Sequence, residues 1–434
     1  MQNTFFVHSL GCSKNLVDTE GFAGNLVQNK FSLVHRLSEA NYVLLNTCAF
    51  IQEACKETDS WINYYSSRKR RYKYKFVVIG CFVEAKRDSL IDLYPDVDHF
   101  LGINKVKQLV NILKGYNSQD IVLGGKQFFW GSQYRTRIHA GLPSRYIKIS
   151  EGCNRKCSFC YIPSIRGRLK SNSSINIVRE AGVLVKSGAR EINLISQDTT
   201  SYGRDLKNGD NIIGLLRKVS NINGLELLRL LYLYPDGVTK ALVQEVKNNY
   251  KVCNYFDIPV QHISSKILKL MNRAHDEKKI KELLETIKYI CPDSALRTTI
   301  IVGFPGEGKR EFKHLVDFIR QGWFEHIGVF AYSPHPRLRD FSAVIEKEAL
   351  ERKKELYAVQ REFVRSNNKR FVGRTQKVLI ENFDADFIYG RNQFQAPEVD
   401  GQIKFTSKLR HKLGDIVKVK IKSFRDYNLI GEVA

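Results

Sequence analysis

Three cysteines, Cys153, Cys157 and Cys160, stand in the spacing C-x3-C-x2-C. Thiolates this close on one loop suit an iron–sulfur cluster, whose irons favour sulfur ligands and normally take four of them. Three ligands leave one iron open to a substrate or cofactor. A structural zinc site would want a fourth Cys or His nearby. The intervening Asn154, Arg155, Lys156, Ser158 and Phe159 are poor candidates for it. A zinc knuckle or a chance spacing is the competing reading.

A second set, Cys12, Cys48 and Cys81, is scattered in sequence but occurs in matching settings. The residues before them are Ser9-Leu10-Gly11, Leu45-Asn46-Thr47 and Val78-Ile79-Gly80. Each cysteine lies just past the end of an expected strand. In an open parallel sheet those ends share one edge, and ligands bind in the crevice there. Three cysteines so placed can converge on one point, and Gly11 and Gly80 permit tight turns beside a bulky group. This argues for a second iron–sulfur cluster, again with an open iron. The bland alternative is three small buried residues, since Cys is among the most buried types. Cys55, Cys253 and Cys291 lack such a setting and read as core thiols.

The elements that must position these residues follow from hydrophobic patterning. Mostly apolar runs at 4–10, 42–46 and 76–80, separated by helical patterns, read as strands buried on both faces of a parallel sheet. Strands alternating with helices argue for a doubly wound α/β domain. A second alternating series has candidate strands at 146–150, 191–196, 226–233, 255–259, 296–302 and 326–332. Six βα units suggest a partial or complete parallel barrel, with its chemistry at the C-terminal strand ends. Residues 344–370 read as one long charged helix, and 373–434 as a small antiparallel β barrel. The expected organisation is therefore an α/β chain. A doubly wound domain spans 1–116, a Gly-rich linker 117–138, a core of βα units 139–369 and a small antiparallel barrel 371–434.

A chain of 434 residues is too long for one ordinary core, in keeping with several domains. No apolar run reaches the roughly 20 residues that span a bilayer. The N-terminus lacks the basic start and apolar stretch of a signal peptide. A cytoplasmic protein with no membrane partner is expected. Nine cysteines in a reducing compartment favour metal binding or catalysis over disulfides. The formal charge of +24 suits a polyanionic partner such as RNA or a ribosome, or simply a Lys-rich background. The acid-free run from Arg68 to Lys75 could touch phosphates or form a solvated loop.

The C-x3-C-x2-C loop, with Phe159 before its last cysteine, resembles the signature of radical S-adenosylmethionine (SAM) enzymes. The resemblance implies that the amino and carboxylate groups of SAM chelate the open iron. One electron from the reduced cluster then cleaves the sulfonium, and the resulting 5′-deoxyadenosyl radical abstracts hydrogen from an unactivated carbon. With the second cysteine set and the terminal barrel, nearly the whole chain resembles the radical SAM methylthiotransferases. That implies two 4Fe-4S clusters, a radical SAM core and a C-terminal TRAM domain. It also implies two uses of SAM, one to methylate a sulfur held on the auxiliary cluster and one to activate a substrate carbon. A low-potential electron donor such as flavodoxin or ferredoxin is implied as a partner.

Two branches of that family differ in substrate. One modifies tRNA adenosine to its 2-methylthio form; the other modifies an aspartate β-carbon of ribosomal protein uS12, free or in the small ribosomal subunit. Ser13-Lys14-Asn15 after the first cysteine, Asp257-Ile258-Pro259-Val260-Gln261-His262 and Gln395-Ala396-Pro397-Glu398-Val399-Asp400-Gly401 resemble the uS12 branch. From Phe371 to Ala434 there are 11 Lys or Arg and 8 Asp or Glu, a net of +3, where a tRNA grip would be more one-sided. Asp384, Asp386, Glu398 and Asp400 could instead face a basic ribosomal protein, or be ordinary solvated surface. The segment 335–339 departs from the family pattern. Candidate SAM contacts are Gln197 and Asp198, Gln261 and His262, Arg297 as a fork for the cofactor carboxylate, and the turn from Gly303 to Gly306 beside the adenine. No general base is assigned, because the radical removes the hydrogen and the protein's work is positioning and tuning.

Overall fold

The structure, a computed structural model, describes residues 3–116, 121–124, 129, 131, 135, 138, 142–333 and 344–434. Most of the expected linker and the atypical segment 335–339 lie outside these residues. Two compact units divide the chain. The first is Met1–Ala140, Glu151–Asn154 and Tyr161–Asn172; the second is Gly141–Ser150, Arg155–Cys160 and Ser173–Ala434. The division runs through the C-x3-C-x2-C loop, so Cys153 belongs to the first unit and Cys157 and Cys160 to the second. No helix among the described residues is long and apolar enough to cross a membrane.

The first unit is built on a six-stranded parallel sheet. Its spatial order is Ser32–Leu33, Thr4–Ser9, Tyr42–Thr47, Lys75–Gly80, His99–Leu101 and Ile121–Val122. The three expected strands form its centre. The other three have two or three residues each, too few for an apolar run to register in sequence. Val43, Leu45, Phe76 and Val78 pack on one face, and Leu44, Val77 and Ile79 on the other. Burial on both faces is why these strands read as unbroken apolar runs.

The basic run is not a solvated loop. Arg68 to Tyr72 form the end of the helix Gln52–Tyr72, and Lys73 closes it in a left-handed conformation at φ 58°. Arg68 lies over the Tyr64 ring at 3.7 Å, and Lys69 pairs with Asp98 at 2.8 Å. Cations suit that end of a helix, where the macrodipole is negative.

In the second unit six parallel strands form two sheets of three. One is ordered Leu227–Leu230, Glu191–Ile195, Ser144–Lys148, the other Tyr255–Asp257, Ala295–Val302, His326–Ala331. They approach through the parallel bridge of Leu228 to Val252, so the strands form an open arc. Ile192, Leu194, Leu228 and Ile300 join the helices in one core. The intervening positions, such as Asn193, Arg229 and Arg297, turn to the opposite face.

The C-terminal region closes into a five-stranded barrel, in the order Thr375–Phe383, Ile388–Arg391, Ile403–Thr406, Asn428–Val433 and Ile416–Arg425. The expected antiparallel pairing holds except at the closure, where Ile403–Thr406 and Asn428–Val433 pair in parallel. This barrel docks on the N-terminal ends of the arc strands. Buried Glu191 takes Arg229 Nε at 2.9 Å and also pairs with Arg391, while Arg229 Nη1 donates to the Gln393 carbonyl at 2.8 Å. Asp400 accepts from Arg297 Nη1 at 2.8 Å, the Tyr255 hydroxyl at 2.6 Å and the Ala396 amide at 2.8 Å.

Two expectations are corrected here. Arg297 is the third residue of its strand, at the end opposite the cysteine loop, and its fork serves Asp400 rather than a cofactor carboxylate. Asp400 is fully buried in the same contact and cannot face a partner protein.

Candidate functional site

The strand register brings the second cysteine set together. Ser9 pairs with Asn46, and Asn46 with Ile79. Cys12 follows three residues beyond that row, and Cys48 and Cys81 two residues beyond it. Cys12 caps the helix Ser13–Gln28, and Cys81 opens the helix Cys81–Lys86. Gly11 has φ 81°, and a Cβ placed there would stand 2.6 Å from Cys48 Cβ and 2.8 Å from its sulfur. Only glycine permits so close an approach.

Asn15, 1% exposed, ties these turns to one another. Its amide donates to the carbonyls of Leu10 at 3.1 Å and Thr47 at 2.9 Å. Its carbonyl oxygen accepts Arg166 Nη2 at 2.7 Å and lies 3.8 Å from the Cys81 sulfur.

The electrostatics of the three thiols differ. Burial pushes the Cys48 thiol up to about 12, and the neighbouring sulfurs of Cys81 and Cys12 add to the rise, so the three lie within electrostatic reach of one another. Burial also raises Cys81, with Arg166 opposing. At Cys12 burial is outweighed by Lys14, Arg166 and the amides of Asn15 and Lys14, and the thiol lies below its ordinary value. Among the described residues no three His, Cys, Asp or Glu side chains are grouped to hold a single metal ion. A cubane cluster asks for something else, because its thiolates ligate separate irons and stand further apart. Three converging thiols with a glycine beside them and buried N–H donors around them fit such a group.

In the second unit the cysteine loop is held from outside. Ser158 donates through its amide to the Met271 carbonyl at 3.1 Å and through its hydroxyl to the Leu270 carbonyl at 2.9 Å. Asn272 Nδ2 donates to the Lys156 carbonyl at 2.7 Å. Phe159 packs with Ile267, Met271, Phe304 and Tyr332. Arg273 Nη1 reaches the Cys157 sulfur at 3.4 Å, and its Nη2 is fixed by the Pro259 carbonyl at 2.6 Å. Arg155 and Arg273 both lie on the Tyr234 ring, at 3.8 and 4.2 Å. Of these anchors Phe159 belongs to the motif already named; Asn272 and Arg273 carry none, and sequence reading missed them along with Arg166 and the tying role of Asn15.

The candidate SAM contacts fare differently. Asp198 is engaged by Arg155 Nε at 2.9 Å, the Ser201 hydroxyl at 2.6 Å and the Thr200 hydroxyl at 2.5 Å, so it positions the loop arginine. His262 Nδ1 accepts the amides of Ile263 and Ser264 at 2.9 and 3.0 Å. Burial, with His314 adding, drops its pKa to about 3, so it is a neutral turn-former. Gly303, at φ 77°, is explained by packing, since a Cβ there would stand 2.6 Å from that of Ala349, while its amide donates to Glu307. Gln197 follows the strand Glu191–Ile195. Gln261 sits at φ 73°, a conformation that costs a non-glycine residue about 1–3 kcal/mol. Among the described residues its buried Oε1, and the buried hydroxyl of Ser150 on the strand Ser150–Glu151, have no hydrogen-bond partner. Buried polar atoms want partners, and a polar cofactor at this end of the arc fits them.

Known proteins match along the whole chain. The Radical SAM superfamily matches residues 147–319, the uncharacterized protein family UPF0004 residues 4–102, and the TRAM domain residues 372–434. A ribosomal protein uS12 methylthiotransferase RimO from Dictyoglomus thermophilum is 40% identical over 441 residues, covering 100% of both chains. The protein of that name from Geobacter sulfurreducens is 38% identical over 435 residues, covering 98% of this chain and 97% of its own. Among solved structures, the radical S-adenosylmethionine methyltransferase TsrM from Kitasatospora setae shares the fold with a TM-score of 0.57 at 13% identity, over 76% of this chain and 72% of that one. The cobalamin-dependent S-adenosylmethionine radical enzyme OxsB aligns with a TM-score of 0.53 at 13% identity, over 82% and 56% of the two chains.

Proposed function

Because the chain belongs to the ribosomal protein uS12 methylthiotransferase family, we propose that it transfers a methylthio group to an aspartate β-carbon of uS12, using SAM and two 4Fe-4S clusters. Cys153, Cys157 and Cys160 would hold the first cluster, and Cys12, Cys48 and Cys81 the second. When bound, the first supplies the electron that cleaves the sulfonium of SAM, and the second offers an open iron for an exogenous sulfur.

The chain's own residues bind and position. Arg273 donates toward Cys157, and Asp198 fixes Arg155 within the same loop. Ser150 and Gln261 offer buried polar atoms to the amino, carboxylate or ribose groups of SAM, and Gln197 stands on the same rim. Asn15 and Arg166 hold the turns that carry the second set. Asp384, Asp386 and Glu398 are exposed and would face a basic partner.

The observation that carries this reading is the placement of Cys12, Cys48 and Cys81 past the ends of three adjacent parallel strands, in a chain that also has the C-x3-C-x2-C loop. After anaerobic reconstitution, iron of about eight per chain is expected for two cubanes; about four would remove the second. In a deletion strain, mass spectrometry should show uS12 lighter by one methylthio group. An unchanged uS12 together with loss of a methylthio-adenosine from tRNA would replace this substrate with the tRNA one.

A further inference from the structure

We infer that Arg166 sets the reduction potential of the cluster held by Cys12, Cys48 and Cys81, by donating a hydrogen bond to the Cys81 sulfur. The inference rests on the second cluster proposed above. Arg166 ends the short helix Ile162–Arg166, and its side chain is 2% exposed. Both terminal nitrogens of its planar fork are engaged. Nη1 donates to Asp18 Oδ2 at 2.9 Å and to the Glu151 carboxylate at 3.0 and 3.1 Å. Nη2 donates to Asn15 Oδ1 at 2.7 Å and to the Cys81 sulfur at 3.4 Å.

Packing does not explain this arrangement. A guanidinium stays charged in proteins, and burying it is costly unless it is paired and hydrogen-bonded. Two buried carboxylates meet that need. The further N–H aimed at the Cys81 sulfur acts directly on whatever that sulfur ligates. Reduction adds one electron to a thiolate-bound cluster, with no bond made or broken, and so increases its negative charge. Hydrogen bonds to the sulfurs and nearby positive charge stabilise that form and raise the potential. Asp18 and Glu151 act on the same guanidinium with the opposite sign. The contribution of Arg166 is thereby a balance of its charge against two anions, all held within the first unit.

The balance can be tested by changing each side of it in the full-length protein with both clusters reconstituted. Potentials would be read by anaerobic titration with dithionite, followed by electron paramagnetic resonance. The C153A/C157A/C160A variant, which retains only the second cluster, assigns the signals. R166K keeps the charge but loses the fork that reaches the sulfur. It should make reduction of the second cluster about tenfold less favourable, a fall of about 59 mV for a one-electron couple. D18N removes an opposing carboxylate and should shift the same signal upward, leaving the first cluster's signal unmoved.

Opposite shifts support the inference. Equal potentials in both variants with iron retained, or shifts in the same direction, overturn it and assign Arg166 a purely structural role. Should R166K fail to take up iron, D18N leaves the guanidinium in place and decides alone, since no upward shift would overturn the inference. Iron of only about four per chain in the parent protein would instead defeat the two-cluster reading, a distinct outcome.

Discussion

Asn15 concentrates the geometry of the first unit in one side chain. Replacing it with Ala would free the carbonyls of Leu10 and Thr47 and remove a partner of Arg166. Each buried group left unsatisfied costs about 1–3 kcal/mol. Asn15→Ala should therefore lower the urea midpoint and bring reconstituted iron down from about eight toward about four per chain, with the loss confined to the second cluster. At the other set, the C153A/C157A/C160A variant should produce no 5′-deoxyadenosine from SAM; measurable product by liquid chromatography would sink the assignment of those three residues. The cysteines could be found in sequence because both sets have a pattern, one of spacing and one of setting. Arg166 and Arg273 have none, and Asn15 stands out only as the end of Ser13-Lys14-Asn15, since a lone polar residue looks alike whether it faces water or a sulfur. Arg297 and Asp400 misled for a related reason. Each looked like a group awaiting a partner, and each is the partner of the other across 103 residues of sequence.

Strand ends, not strands, carry the chemistry, and the turns after them are demanding. Gly11→Ala would place a methyl group 2.6 Å from Cys48 Cβ, in a backbone conformation that L-residues avoid by about 1–2 kcal/mol. Its expected effect is loss of the second cluster's iron, with the SAM-cleaving activity of the first set surviving. A G11A protein that retained all its iron would show that the turn tolerates displacement of Cys48. At this scale the central strands and the charged helix Glu346–Lys369 were legible, because burial on two faces and helical periodicity both leave long signals. The short edge strands, the parallel closure of the terminal barrel and the helical state of the basic run were not. Two residues show no periodicity, and a cationic helix end shares its composition with a solvated loop.

Across the second unit, the terminal barrel is joined to the arc by buried charge. Burial pushes the Glu191 carboxyl up, but the guanidiniums of Arg391 and Arg229 outweigh it and hold the carboxyl at about 2. An ordinary glutamate titrates near about 4.3, so the folded value is the depressed one. Its contribution is then present above about 4.3 and lost as pH falls from there toward about 2. Urea unfolding of the apoprotein should show the midpoint falling over that window, and Glu191→Gln should flatten the fall. The same substitution should lower stability at neutral pH by about 3 kcal/mol, since it leaves the buried Arg229 guanidinium without a carboxylate while Arg391 keeps Glu381. The succession of a parallel sheet, βα units and a small terminal barrel was legible from hydrophobic patterning along the chain. The docking of that barrel was not, because the residues responsible are charged ones on strands whose apolar neighbours dominate the pattern.

The strand Asn428–Val433 lies between two others in the closed barrel. During synthesis it is the last of the five to emerge, and domains generally fold in order from the N-terminal side. Until it arrives, Ile403–Thr406 and Ile416–Arg425 each expose an edge that can capture a foreign strand. Arg391 and Asp400 must meanwhile wait in an unfinished barrel, beside an arc whose buried Glu191 and Arg297 still lack their counterparts. The arc is thus an earlier product of translation than the strand that closes the barrel docked on it.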